Sequence, residues 1–210
     1  MKIKKAKNKK VEKMYDKAMK ELKAFFKIKW KGNKPGLVLV PDRKTIDLLQ
    51  GRKSEPWGVG WARNNTVFLL APKNYEKESI HKYSDETYYA LLKHELVHIF
   101  VQAHLDKFDK PLYPRWISEG LAVFLSGQNK FKTKPTKFKQ FLDFYEKDGK
   151  EIYNESGFAI ELLFNKFGRE KMLLLIKSAS EFRNKAKFNR LFKKIYGFLP
   201  SYKKFNEMLK

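Results

Sequence analysis

His94 and His98 stand four residues apart with Glu95 directly after the first, in His94-Glu95-Leu96-Val97-His98. On a helix, residues four apart share a face, so both imidazoles can point to one place. A zinc ion there would be held by two neutral ring nitrogens at about 2.0–2.1 Å. Glu95 is turned off the ligand line by its one-residue offset. It falls beside the metal, where it can take a proton from a bound water. The four histidines are at 81, 94, 98 and 104; the two outside the motif read as ordinary surface or core residues.

A catalytic zinc site takes three protein ligands and keeps one position open. The chain contains no cysteine, which excludes thiolate sites and disulfides, so histidine and carboxylate must supply the ligands. Glu119 is the candidate third ligand. It lies in Pro114-Arg115-Trp116-Ile117-Ser118-Glu119-Gly120-Leu121-Ala122, on the next expected helix. A carboxylate among Trp116, Ile117, Leu121 and Val123 is costly unless it is paired or bound to metal.

At these residues the chain resembles the gluzincin metallopeptidases. More narrowly, it is similar to the small peptidase-MA-like domains related to the thermolysin and aminopeptidase groups. The matching pieces are His94-Glu95-x-x-His98 and Trp116-x-x-Glu119-Gly120-Leu121-Ala122. Further matches are Tyr153-x-x-Ser156, the run Phe167-Gly168-Arg169-Glu170-Lys171, and Ile195-Tyr196-Gly197 followed by Phe205. The likeness spans roughly residues 35–210. It implies His94, His98 and Glu119 as zinc ligands and Glu95 as general base. It also implies a catalytic role for Tyr153, at the place where related aminopeptidases put an oxyanion donor.

Two positions depart from the family pattern. Some relatives carry an Asp one turn after the ligand Glu, where this chain has Val123. Aminopeptidases of the group hold the substrate amine with an acid beside a Gly-rich strand. The corresponding stretch here, Trp57-Gly58-Val59-Gly60-Trp61-Ala62-Arg63-Asn64, contains no Asp or Glu. The resemblance therefore implies peptide-bond hydrolysis without support for recognition of a free N-terminus. The expected function is a zinc-dependent metallopeptidase acting on peptide or protein substrates, with a zinc-bound water activated by Glu95. The alternative is a non-enzymatic or restricted zinc domain that binds nucleic acid or a membrane surface through basic flanks.

The elements that must position these residues follow from periodicity and turn chemistry. A helical period starts at Val11 and runs through Phe26. Leu37–Val40 reads as a strand, Thr45–Gln50 as a short helix stopped by Gly51, and Gly58–Ala62 with Thr66–Leu70 as a hairpin. Ser84 or Asp85 can cap the helix that carries the histidines. Pro111 and Pro114 break the chain before a helix at Arg115–Leu125. Pro135 is read as opening another helix through about Lys147. Helices are then expected at Ser156–Phe167, Arg169–Ser178, Phe182–Ile195 and Ser201–Leu209. The expected fold class is α+β, with a small, mostly antiparallel sheet followed by a helical bundle that carries the site. Residues 1–10 read as a basic flexible arm and residues 11–210 as a single domain.

The formal net charge is +23, and it is uneven. Residues 1–35 carry 14 Lys and 3 acids, residues 36–125 carry 12 basic and 11 acidic side chains, and residues 126–210 carry 20 and 9. The metal region is thus nearly neutral between two basic flanks. The lysines alternate with apolar residues at helical spacing, which favours solvated helix faces over a nucleic-acid surface. No stretch is apolar enough to span a bilayer, and the basic N-terminus is not followed by a signal-type apolar run. A cytoplasmic location is the expectation; a protein whose leader had already been removed would read the same way.

Overall fold

The structure is a computed structural model that describes residues 8–105, 114–147, 149, 151–178 and 184–210. Residues 1–7 of the arm expected at 1–10, Pro111 and the start of the helix expected at Phe182 lie outside the described residues. The chain divides into two compact units, Met1–Ile99 and Phe100–Lys210. The class is α+β, with seven α-helices and three strands among the described residues.

The first unit opens with α1, Lys9–Phe26, which begins inside the range read as an arm. Asn8 caps it by accepting from the Lys10 and Val11 amides at 3.1 and 3.2 Å. Its apolar stripe, Val11, Ala18, Met19, Leu22 and Phe26, is buried. Strand β1, Gly36–Val40, leads into α2, Arg43–Gln50, which is capped by Asp42 and ended by Gly51 at φ 69°. Strands β2, Gly60–Arg63, and β3, Thr66–Leu70, form a hairpin. Asn64 and Asn65 make its turn, both left-handed at φ 49° and 54°, which suits the twist of a two-residue hairpin.

The sheet is mixed, where a mostly antiparallel one was expected. Its order is β1-β3-β2, with β1 parallel to β3 and β2 antiparallel to it. The reason is the connection. Residues 41–65, with α2 in them, are long enough for a crossover, so β3 enters the sheet between β1 and β2. This leaves β2 on the edge.

Helix α3, Asp85–His104, carries the histidines. Ser84 caps it reciprocally. Its Oγ accepts from the Thr87 amide, and its amide donates to Thr87 Oγ1, both at 3.1 Å. Asp85 and Glu86 sit at the positive end of the helix dipole. The Tyr88 hydroxyl donates to the Leu70 carbonyl at 2.9 Å and ties the start of α3 to the end of β3.

The second unit is helical. Its elements are α4, Arg115–Ser126; α5, Ile152–Lys177; α6, Lys185–Tyr196; and α7, Tyr202–Leu209. Within α5, Gly168 is non-helical at φ 80° and ψ 172°, at the break expected between two helices. Trp116 is buried among Phe141, Phe188, Phe192 and Phe205, with ring centroids 5.0–6.3 Å apart. Each such ring adds about 1.5–3 kcal/mol through burial.

The helix expected from Pro135 to Lys147 does not form. Only a short 3-10 turn, Phe141–Asp143, appears there. The buried Glu155 carboxylate collects the backbone amides of Lys139, Gln140 and Phe141 at 2.8–3.1 Å. An acceptor that takes three amides at once replaces the helix ladder.

Candidate metal centre

One turn of α3 separates His94 from His98, and their Nε2 atoms lie 3.3 Å apart. The rings stand nearly perpendicular, at 77°. Two zinc–nitrogen bonds of about 2.0–2.1 Å at a tetrahedral angle place their nitrogens roughly 3.3–3.4 Å apart. The observed spacing fits a chelating pair, and it equally fits a direct hydrogen bond between the two rings. His94 and Glu95 are buried and His98 is half-buried.

Glu119 sits on α4 and is 3% exposed. Pro114 precedes this helix and supplies no side-chain cap. The first amides of α4, those of Arg115 and Trp116, donate instead to the Tyr145 and Phe144 carbonyls at 2.8 and 3.0 Å. Arg115 lies one turn before Glu119, and its Nη2 is 3.1 Å from Glu119 Oε1. The i, i+4 spacing in the sequence was the available signal for this ion pair, which the sequence reading missed.

One ligand atom from each of His94, His98 and Glu119 lies within 4.8 Å of the others. Two imidazole nitrogens and one carboxylate oxygen are the donor set of a catalytic zinc site with an open position. By donor chemistry and spacing, these residues fit zinc.

Small residues fix how α4 meets α5. A Cβ on Gly120 would stand 2.6 Å from the Ser156 carbonyl oxygen. A Cβ on Gly157 would stand 2.3 Å from Val123 Cγ1. Val123 therefore serves the α4–α5 contact. Tyr153 lies in the first turn of α5, half-buried.

Within the stretch from Trp57 to Asn64, β2 (Gly60–Arg63) forms an edge of the sheet beside α3. A Cβ on Gly60 would stand 2.8 Å from Leu69 Cδ2, so Leu69 would have to shift, and it would reach Glu95 Cγ and Leu91 Cδ1 at 3.4 Å each, ordinary van der Waals contact. The Leu70 amide donates to the Val59 carbonyl at 2.8 Å. In the antiparallel alternation, Trp61–Phe68 and Arg63–Thr66 are then hydrogen-bonded pairs, and Gly60 and Ala62 turn their peptide N–H and C=O to the outer side. Among the described residues no strand pairs with that side. Of the other histidines, His81 donates from Nε2 to the Trp57 carbonyl at 2.9 Å, and His104 ends α3.

Among the described residues no helix is long and apolar enough to cross a membrane. Comparison with protein-family models, curated proteins and solved structures found no match.

Proposed function

We propose that this chain is a zinc-dependent metallopeptidase that hydrolyses peptide bonds. One observation carries the reading: two imidazole nitrogens at 3.3 Å, with a ligand atom of Glu119 in the same cluster. Zinc held by His94, His98 and Glu119 would polarise the scissile carbonyl and bring the pKa of a water toward about 7. Glu95 takes the proton of the attacking water on its carboxylate and passes it to the leaving amine. The outward peptide groups of Gly60 and Ala62 bind an extended substrate as an added strand, beside Glu95. In this reading Tyr153 donates a hydrogen bond to the developing oxyanion, a contact worth about 2.7–4 kcal/mol in comparable sites. Residues 57–64 contain no acid, so this stretch gives no support for recognition of the substrate's free amine.

Chelation tests the reading. A zinc chelator should abolish cleavage of a peptide library, and added zinc should restore it. Cleavage that persists after the metal is stripped would refute the proposal.

A second reading rests on charge. Residues 185–206 hold seven Lys or Arg and no acid. Salt-sensitive binding to nucleic acid or anionic vesicles, with no hydrolysis of the library, would favour a zinc domain that docks on an anionic partner.

A further inference from the structure

The loop that leads into β2 is pinned far more tightly than an exposed connection requires. The Arg43 guanidinium donates from Nη1 to the Glu55 and Gly58 carbonyls at 3.0 and 2.5 Å, and from Nη2 to the Pro56 carbonyl at 3.1 Å. Nη1 also reaches Ser54 Oγ at 3.1 Å, and Nε and Nη2 reach the Glu78 carbonyl at 3.1 and 2.6 Å. The fourth carbonyl of the run, that of Trp57, accepts from His81 Nε2. Four consecutive carbonyls, at 55, 56, 57 and 58, are thus each held by a side chain. Asp47 accepts from the Ser54 amide at 2.8 Å and fixes the start of the same loop.

At the centre of this loop the Trp57 side chain is 42% exposed. Holding the loop uses only the carbonyl of residue 57, which any residue would provide. A large apolar ring left in water on a fixed backbone is instead a prepared contact. It loses little conformational entropy on binding, and tryptophan is among the strongest anchors of interfaces. Trp57 is three residues from Gly60, so the chain places it within about 10 Å of the strand position where an added Cβ would meet Glu95.

The geometry points to Trp57 as a specificity-determining contact. It binds an apolar or aromatic side chain of the peptide near the cleaved bond, and Arg43 and His81 act as its positioning residues. This inference rests on the metallopeptidase reading.

The test uses zinc-loaded full-length protein and a set of peptides that vary one residue at a time around the cleaved bond. Wild type should favour Phe, Tyr or Leu at one such position. Trp57→Ala should lower kcat/KM for those peptides about tenfold through KM, with kcat and zinc content kept. Peptides with Gly at that position should be unaffected, and Trp57→Phe should keep most of the preference. If wild type cleaves but Trp57→Ala shows the same profile, the inference is overturned and the metallopeptidase reading stands. If zinc-loaded wild type cleaves nothing in the set, both fall.

Discussion

The Arg115 guanidinium lies 3.1 Å from a carboxylate oxygen of Glu119, one turn away on the same helix. If Glu119 holds zinc as proposed, this Arg would fix which way the carboxylate faces and offset the cost of burying it. Arg115→Gln should therefore weaken zinc binding by about 10–100-fold, the usual effect of losing a residue that orients a ligand. Competition with a chromophoric chelator measures this. Unchanged affinity would show that Glu119 is oriented without Arg115.

A Cβ added at Gly60 on the edge strand would lie 3.4 Å from Cγ of the proposed base, Glu95. In Gly60→Val the new side chain would press on Leu69 first and then on Glu95 and Leu91, on the sheet face beside the proposed base. Overpacking of this kind costs about 1–3 kcal/mol of stability. Activity should fall further, by roughly a hundredfold in kcat/KM, corresponding to about 2.7 kcal/mol in the barrier. Thermal unfolding and peptide kinetics on the same sample separate the two effects. An activity loss no larger than the stability loss would argue against a substrate strand at this edge.

The α4–α5 contact depends on Gly120 and Gly157. Helix propensity favours alanine at a helix interior by about 1 kcal/mol. Here the added Cβ would meet the Ser156 carbonyl or Val123 inside van der Waals distance. Gly120→Ala and Gly157→Ala should each destabilise the protein by about 1–3 kcal/mol in denaturant unfolding. A stabilising alanine at either position would contradict the packing described.

Alkaline pH should unfold the first unit. Burial, with a smaller contribution from Asp16, pushes the Tyr15 hydroxyl up to about 12, and burial alone pushes Tyr75 up to about 12. Both groups ionise more readily unfolded, near pH 10. Their contribution is therefore complete below about pH 10 and is lost as the pH rises toward 12. Tm should fall between pH 10 and 11.5, and less steeply in Tyr15→Phe, which also loses the hydrogen bond to the Pro35 carbonyl. A flat profile in wild type would contradict the burial of these hydroxyls.

Much of the fold could be read from local chemistry. Caps at Asp42, Ser84 and Ser201, stops at Gly51 and Gly197, and the Asn64-Asn65 turn are short-range signals, and they mark element ends. What escaped the sequence depends on distant residues. The parallel pairing of β1 with β3 is decided by where a crossover returns. The irregular backbone at 139–141 is decided by a carboxylate fourteen to sixteen residues later. The candidate site divides in the same way. His94, Glu95, His98 and Glu119 stand out by type and spacing, whereas the approach of Gly60 to Glu95 and the Arg43 anchorage of the Trp57 loop are tertiary.

The most direct test of the central claim compares wild type with Glu95→Gln at equal zinc content. Glutamine keeps the size and shape of the side chain but cannot take the proton. Wild type should hold one zinc per chain and cleave peptides, and Glu95→Gln should hold the same zinc with kcat lowered at least about 100-fold. Equal activity of the two proteins, or wild type that binds no zinc, would contradict it.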